Sequence, residues 1–174
     1  VEEHVTSLRQ GGTGSLSEDH RQPDRLPDKY ESGNHNAPGL FGLEASLAWL
    51  QDRGLDVIRS HELSLRRLLL DQLAELPNVH TFCRDIRDEQ AVGVISLTLA
   101  GFDPQELAAI LDHDFDIQTR AGLHCAPGAH RSLGTFESGG TLRVSFSPFS
   151  TRDDVEHFVQ SLRQIAGEVM WPAT

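Results

Sequence analysis

The sequence predicts a small α/β domain that follows an irregular arm. Beyond residue 40, apolar residues at helical spacing alternate with short runs of β-branched residues. Residues 1–39 are instead rich in Gly, Pro, Ser, Asp and Asn and show no sustained apolar period. At 174 residues and 38% hydrophobic, the chain can form one domain with its own core. We therefore expect an arm at 1–39 and, at 40–174, helices packed on a mixed or antiparallel sheet.

Two helices are predicted at the start of the domain. Leucines recur at helical spacing from Leu40 up to Gly54, which is a typical stop signal. A longer helix is expected from about Asp56 to Glu75, because leucines line one side of it and Pro77 follows its end.

Strands and helices then alternate to the end of the chain. Strands are predicted at Val79–Phe82, Val92–Leu99, Ile117–Thr119 and Thr141–Phe146. A helix is expected after Asp103, which suits an N-cap and is followed by proline. The last helix is expected after Thr151, with two aspartates in its first turn.

Composition excludes several classes of partner. Acidic residues outnumber Lys and Arg by 26 to 15, giving a net charge of -11, which argues against nucleic acid. No stretch approaches the roughly 18 consecutive apolar residues of a membrane span, and the start has no signal-peptide core. Two cysteines form no disulfide framework and favour a reducing, cytoplasmic location. Since Met170 is the one methionine, we expect Val1 to lie inside a longer protein.

The densest group of reactive side chains lies in residues 119–135, TRAGLHCAPGAHRSLGT. Its members are Arg120, His124, Cys125, His130 and Arg131. Positive charge beside an exposed thiol favours the thiolate, which is the attacking form. Two other interpretations stay open: a surface loop that merely tolerates a cysteine, and a zinc site, although one Cys and two His are a ligand short.

Four motifs together resemble one family. The string R-x-G-x-H-C-A at 120–126 is joined by GGTGS at 11–15, LPDKYESGNHNAPGLFGL at 26–43 and TLRVSFSPFST at 141–151. In this order and spacing they resemble cysteine desulfurases and selenocysteine lyases, which are class V aminotransferases of pyridoxal-phosphate fold type I. The likeness covers the chain from about Gly11 to about Ala166. It implies the C-terminal small domain of such an enzyme, preceded by an arm that contacts the cofactor.

The resemblance assigns roles to three residues around the thiol. Cys125 would attack the sulfur of cysteine bound to the cofactor, so that alanine leaves and a persulfide remains. Arg143 matches the arginine that grips the substrate carboxylate, and Arg120 matches an arginine beside the nucleophile. Apart from the resemblance, His124 and His130 are candidates to tune or shuttle protons near Cys125, although a lone histidine is more often structural.

The cofactor, pyridoxal 5'-phosphate, is matched only in part. Gly12, Thr13 and Gly33 correspond to segments that reach the cofactor phosphate of a neighbouring subunit, which implies a homodimer. Asn34 stands where the family usually has threonine, so a hydroxyl contact cannot be carried over. Lys29 is the one lysine in the chain and does not match the lysine that binds the cofactor covalently. The chain alone is therefore expected to be inactive.

Other functions stay open at the level of sequence. The substrate would be a small molecule, cysteine or selenocysteine, and a sulfur-acceptor protein would be a further partner. A related lyase or epimerase of the same class would make Cys125 incidental. A module that carries sulfur, or that binds a partner without catalysis, would need no cofactor. No metal ligand set is predicted.

Overall fold

The structure, a computed structural model, describes residues 4–12, 16 and 18–169. It divides the chain into two compact units, of which the first ends at Asp52 and the second begins at Arg53. This division falls within the first helix. The assignment of 1–39 and 40–174 to two domains of a longer enzyme stays a prediction.

Irregular chain followed by one helix makes up the first unit. Helix α1 spans Ala37–Arg53, beginning before the expected Leu40, and none of its residues is buried. The loops before it are organised by Gln22, which is only 8% exposed. Its Nε2 donates to the carbonyls of Asp28 at 2.8 Å and Glu31 at 3.2 Å. Side-chain amide bonds to the backbone thus stabilise this segment in place of an apolar core.

Helices and an antiparallel sheet form the second unit. The helices are α2 Leu55–Leu73, α3 Pro104–Phe115, α4 Pro127–Leu133 and α5 Arg152–Val169. The strands are β1 Val79–Thr81, β2 Val94–Leu99, β3 Arg120–Gly122 and β4 Thr141–Ser145. Their order in the sheet is β1-β2-β4-β3, with every pair antiparallel. The α/β class and the packing of helices on a sheet are confirmed.

Alternation along the central strands separates the core from a polar face. Leu97 and Leu142 pair across β2 and β4 and are fully buried. They join apolar side chains of α2, α3 and α5 in one core. Because successive side chains of a strand point to opposite faces, Ser96 and Arg143 lie on the other face. The sheet therefore carries Arg143 on the face away from its core.

Helix starts follow the expected capping chemistry. Asp103 Oδ1 accepts hydrogen bonds from the backbone N–H groups of Gln105 at 2.8 Å and Glu106 at 3.4 Å. Thr151 Oγ1 accepts from the N–H of Asp154 at 3.2 Å, and Asp154 Oδ2 in turn accepts from the Thr151 N–H at 2.7 Å. This reciprocal pattern satisfies donors that the first turn of a helix leaves unpaired.

Two local predictions around the reactive segment are wrong. The strand expected at Ile117–Thr119 lies at Arg120–Gly122, because the Ile117 N–H still bonds the Leu111 carbonyl at 2.9 Å and closes the end of α3. Helix α4 lies where a loop was expected. It is only seven residues long, too short to show an apolar period.

Within residues 4–12, 16 and 18–169, no helix has both the length and the apolar character that crossing a bilayer requires.

Candidate active site

Cys125 lies in a tight turn between β3 and α4. Its side chain is exposed, and both it and His124 have left-handed backbone conformations, with φ of 59° and 52°. The turn is closed by the Ala126 N–H, which donates to the Leu123 carbonyl at 2.8 Å. A left-handed conformation costs a residue other than glycine roughly 1–2 kcal/mol. Two in succession require surrounding contacts that hold them.

Two arginines are neighbours beside this turn. Arg120 of β3 pairs in register with Arg143 of β4, so their side chains leave the same face of the sheet. Arg120 Nη2 lies 3.6 Å from Cys125 Sγ. Neither guanidinium forms an ion pair with a carboxylate in the described part of the chain. The face beside the thiol therefore carries two positive charges without a local counter-ion.

Arg143 has unused hydrogen-bonding capacity. Its side chain is half-buried, and its Nε is buried with no hydrogen-bond partner among the described residues. A guanidinium presents five donors in a planar fork that matches a carboxylate. An uncompensated, partly desolvated arginine of this kind suits a small anion.

His124 is anchored behind the thiol. Its Nε2 lies 3.2 Å from Oγ1 of Thr141, which is completely buried at the start of β4. Burial lowers the pKa of His124 below the usual 6.5, electrostatic interactions with Arg143, His130 and Arg120 lower it further, and a hydrogen bond to the Thr141 backbone opposes them. His124 is therefore neutral at physiological pH.

A second histidine packs on the first. The rings of His124 and His130 have centroids 5.5 Å apart at an angle of 46°. His130 is only 4% exposed, and its Nδ1 bonds Thr135 Oγ1 at 2.8 Å. The Thr135 carbonyl accepts from the Gly140 N–H at 2.8 Å. We call His124, His130, Thr135 and Thr141 the histidine–threonine cluster; it links α4 to the start of β4.

Gly140 brings the two strands of the site together. A Cβ atom on Gly140 would lie 2.1 Å from the carbonyl oxygen of Gly122, and the residue has φ of 100°. Any other side chain would clash with the backbone of β3, so glycine is required here. The close approach fixes the end of β3 directly before the Cys125 turn.

The first unit brings two of the predicted phosphate-contacting segments together. The Gly33 N–H donates to the Gly12 carbonyl at 3.0 Å, and a Cβ on Gly12 would lie 2.8 Å from Gly33 Cα. Asn34 is exposed beside them. Thr13 lies outside the described residues. The two glycine segments therefore touch although 20 residues of sequence separate them.

Cys83 offers an internal comparison. It is also exposed, with φ of 54°. Its carbonyl accepts from Arg66 Nη2 at 3.0 Å, and Arg66 is only 4% exposed. In the described residues, no group of three His, Cys, Asp or Glu side chains is arranged to hold a metal ion.

Sequence reasoning missed Thr141, the fixed partner of His124. The sequence did hold a signal for Thr141, because it lies two residues before Arg143 in one strand. Side chains at that spacing share a face of the sheet. The position of His130 in the buried part of the cluster depends on α4, which the sequence did not predict.

The chain as a whole resembles proteins of one family. The family model described as aminotransferase class-V matches residues 1–158. A probable cysteine desulfurase of Methanothermobacter thermautotrophicus is 31% identical over 159 residues, which cover 90% of this chain and 39% of that protein. Cysteine desulfurase CsdA of Escherichia coli is 34% identical over 137 residues, which cover 78% of this chain and 32% of the relative.

Solved structures of cysteine desulfurases are also similar to this chain. An apo structure of a cysteine desulfurase from Thermococcus onnurineus NA1 superposes with a TM-score of 0.75 at 28% identity, covering 95% of this chain and 37% of that one. A crystal structure of Escherichia coli CsdA in an S-sulfonic acid form has a TM-score of 0.75 at 30% identity, covering 94% and 39%.

The chain is a member of the aminotransferase class-V family. It spans less than two fifths of the length of the first two relatives, 39% and 32%. The resemblance seen in the sequence is confirmed.

Proposed function

We propose that this chain is the C-terminal part of a pyridoxal-phosphate-dependent cysteine desulfurase, with Cys125 as the sulfur acceptor. The observation that carries the proposal is the 3.6 Å approach of Arg120 Nη2 to Cys125 Sγ, on an exposed turn. The similar proteins named cysteine desulfurase support this substrate over the alternatives.

Cys125 supplies the acceptor thiolate in this proposal. When bound, the cofactor supplies an electron sink at the substrate's amino group. Cys125 Sγ forms an S–S bond with the substrate sulfur while the substrate Cβ–S bond breaks. The electron pair stays on the carbon side, which gains a proton, so the products are alanine and a persulfide on Cys125. Arg120 Nη2, 3.6 Å from Sγ, would contact the sulfur during the attack.

Arg143 orients the substrate. Its buried, unpartnered Nε and half-buried side chain leave a guanidinium ready to take the cysteine carboxylate through two charge-assisted bonds. The register that pairs Arg143 with Arg120 keeps the carboxylate site next to the thiol. Because the substrate carboxylate is held beside the thiol, sulfur transfer becomes a step within a single enzyme–substrate complex.

The chain fits the margin of the cofactor site and lacks its covalent anchor. Backbone N–H groups near Gly12 and Gly33, with Thr13 and the amide of Asn34, would contact the cofactor phosphate of a neighbouring subunit in a homodimer. The paired Gly12 and Gly33 backbones support this role. Lys29 Nζ lies 5.4 Å above the Tyr30 ring, within the irregular arm, and does not serve as the anchor. The chain alone is therefore inactive in this proposal.

The remaining parts of the proposal concern the setting of the reaction. A cytoplasmic location fits the two free cysteines. A sulfur-acceptor protein would take the outer sulfur of the persulfide from the exposed turn.

Mass spectrometry of the complete enzyme, with the region that precedes this part in its relatives, tests the function. Incubation with cysteine is expected to release alanine and to add one sulfur atom to the peptide that carries Cys125. Sulfur on Cys83 alone, or alanine release without any sulfur on Cys125, would overturn the assignment. Sulfur on Cys125 from a persulfide donor, with no alanine at any cofactor concentration, would indicate a carrier instead.

A further inference from the structure

The Cys125 turn is held by one backbone hydrogen bond and by one side-chain contact with a buried residue. His124 and Cys125 are both left-handed, with φ of 52° and 59°. Of the two side chains, only that of His124 bonds to a buried residue, Thr141, among the described part of the chain. The Cys125 side chain is exposed and touches Arg120 through sulfur, at 3.6 Å. The side-chain contact that ties the turn to the buried start of β4 therefore runs through His124.

Both ring nitrogens of His124 face buried surroundings. Its Nε2 shares one hydrogen bond with the Thr141 hydroxyl, at 3.2 Å. Its Nδ1 is buried and has no hydrogen-bond partner in the described residues. Whichever group donates, the bond occupies Nε2 and ties the ring to β4. One nitrogen bonded to a buried residue and the other enclosed suit a positioning role.

Packing restricts the ring from the other side. The centroid of the His130 ring lies 5.5 Å from that of His124. His130 is itself fixed by a hydrogen bond of 2.8 Å between its Nδ1 and Thr135 Oγ1. Gly140, which directly precedes Thr141 and tolerates no side chain, donates its N–H to the Thr135 carbonyl at 2.8 Å. The His124 ring is thus held between a buried strand and a buried helix residue.

We propose that Thr141 is a positioning residue: through His124 it holds the left-handed turn that presents Cys125 Sγ to Arg120. The inference rests on the proposed function, because it deepens the role of the same thiol. It gives His124 a positioning role in place of proton transfer, and it assigns a role to Thr141.

Alkylation of the chain without cofactor or substrate tests the anchor. The variants are Thr141→Val, which keeps the shape and removes the hydroxyl, and Thr141→Ser, which keeps the hydroxyl. Iodoacetamide labelling at Cys125 is measured relative to Cys83 by peptide mass mapping. Thr141→Val is expected to lower this ratio about fivefold, since one neutral hydrogen bond changes an equilibrium by a factor of roughly 2 to 10. Thr141→Ser should stay within twofold of the parent.

Cys83 reports on folding in the same sample. Its turn is held by Arg66, at 3.0 Å, and does not involve Thr141. An unchanged Cys83 rate together with a lower Cys125 rate would support the anchor, whereas an equal ratio in the parent and Thr141→Val would overturn it. If the rates at both cysteines rise in Thr141→Val, the variant is unfolded and His124→Gln, which leaves β4 intact, replaces it with the same expectation.

The anchor and the function fail in different ways. A Thr141→Val chain with parental labelling, in a protein whose complete form still makes persulfide on Cys125, removes the anchor and leaves the function. A fivefold loss of labelling, in a protein whose complete form makes no persulfide from cysteine, keeps the anchor and removes the function.

Discussion

The turns at Cys83 and Cys125 share their backbone geometry and exposure but differ in where the nearby arginine points. Both cysteines are exposed, with φ of 54° and 59°. Arg66 donates to the carbonyl of Cys83 at 3.0 Å, whereas Arg120 approaches the sulfur of Cys125 at 3.6 Å. One guanidinium stabilises the backbone and the other lies at the thiol. We therefore expect the nearby cation to affect the reactivity of the thiol at Cys125 and not at Cys83.

Removal of each thiol in turn gives the largest contrast. In the complete enzyme, Cys125→Ser is expected to abolish persulfide formation, because a hydroxyl cannot accept the sulfur. Cys83→Ser should keep at least half of the parental rate. Alanine release and persulfide are measured together with cysteine as substrate. Equal losses of persulfide formation in Cys125→Ser and Cys83→Ser would contradict the assignment of Cys125 as the sulfur acceptor.

Substrate capture should depend on Arg143. Arg143→Leu is expected to raise the KM for cysteine by roughly ten- to a hundredfold, since a charge-assisted bond contributes about 1.5–3 kcal/mol. Arg143→Lys should recover only part of this, because a point charge cannot form the two-pronged contact. Steady-state kinetics of the complete enzyme provide the measurement. A KM within twofold of the parent in Arg143→Leu would contradict the role.

Exchange of each arginine sharpens the comparison between the turns. Arg120→Gln should lower the alkylation rate of Cys125 about fivefold, since a charge about 4 Å away contributes about 1 kcal/mol in water. The stability of the fold should not change. Arg66→Met should instead lower the free energy of unfolding by about 1–2 kcal/mol, because the loss of a charge-assisted bond outweighs the relief of the desolvation penalty of a buried charge.

The alkylation rate of Cys83 is the control for that pair of variants. It should change less than twofold in Arg66→Met, because Arg66 bonds the carbonyl and not the sulfur. A large fall in Cys83 labelling would mean that the direction of the guanidinium does not matter.

The smallest expected effect concerns pH. Burial lowers the pKa of His124 below 6.5, with Arg143, His130 and Arg120 facing it. The unfolded chain therefore binds a proton more readily than the folded chain, so stability falls as pH drops below 6.5. The thermal midpoint of the chain between pH 7.5 and 5.5 is compared with that of His124→Gln. A steeper fall in the variant than in the parent would have the wrong sign.

Periodicity predicted most of the fold. Helices α2, α3 and α5 and strand β4 lie within a few residues of the expected positions, because each carries a long apolar pattern or a clear cap. Strand β3 was misplaced because a residue after the helix still bonds to it, which no local propensity reveals. Helix α4 is shorter than the period that would identify it.

The site was harder to predict than the fold. The resemblance indicated Cys125, Arg120 and Arg143, but the contact of Thr141 with His124 depends on the register of β3 against β4. That register is a long-range property, set by which side chains are buried rather than by neighbours in sequence. Gly12 and Gly33 illustrate the same limit, since their backbone contact joins segments far apart in the chain.

The pairing of Leu142 with Leu97 and Ala121 has a consequence for tolerance to insertions. A single residue gained or lost within β4 would move the side chains beyond it to the opposite face of the sheet. Arg143 would then point into the hydrophobic core, and a leucine would point away from it. The register that places Arg120 beside Arg143 is thus fixed by Leu142, a buried apolar residue outside the proposed site. Substitution of the exposed Ser145 should be tolerated by comparison, whereas a change of length in β4 would displace Arg143 and disrupt the core together.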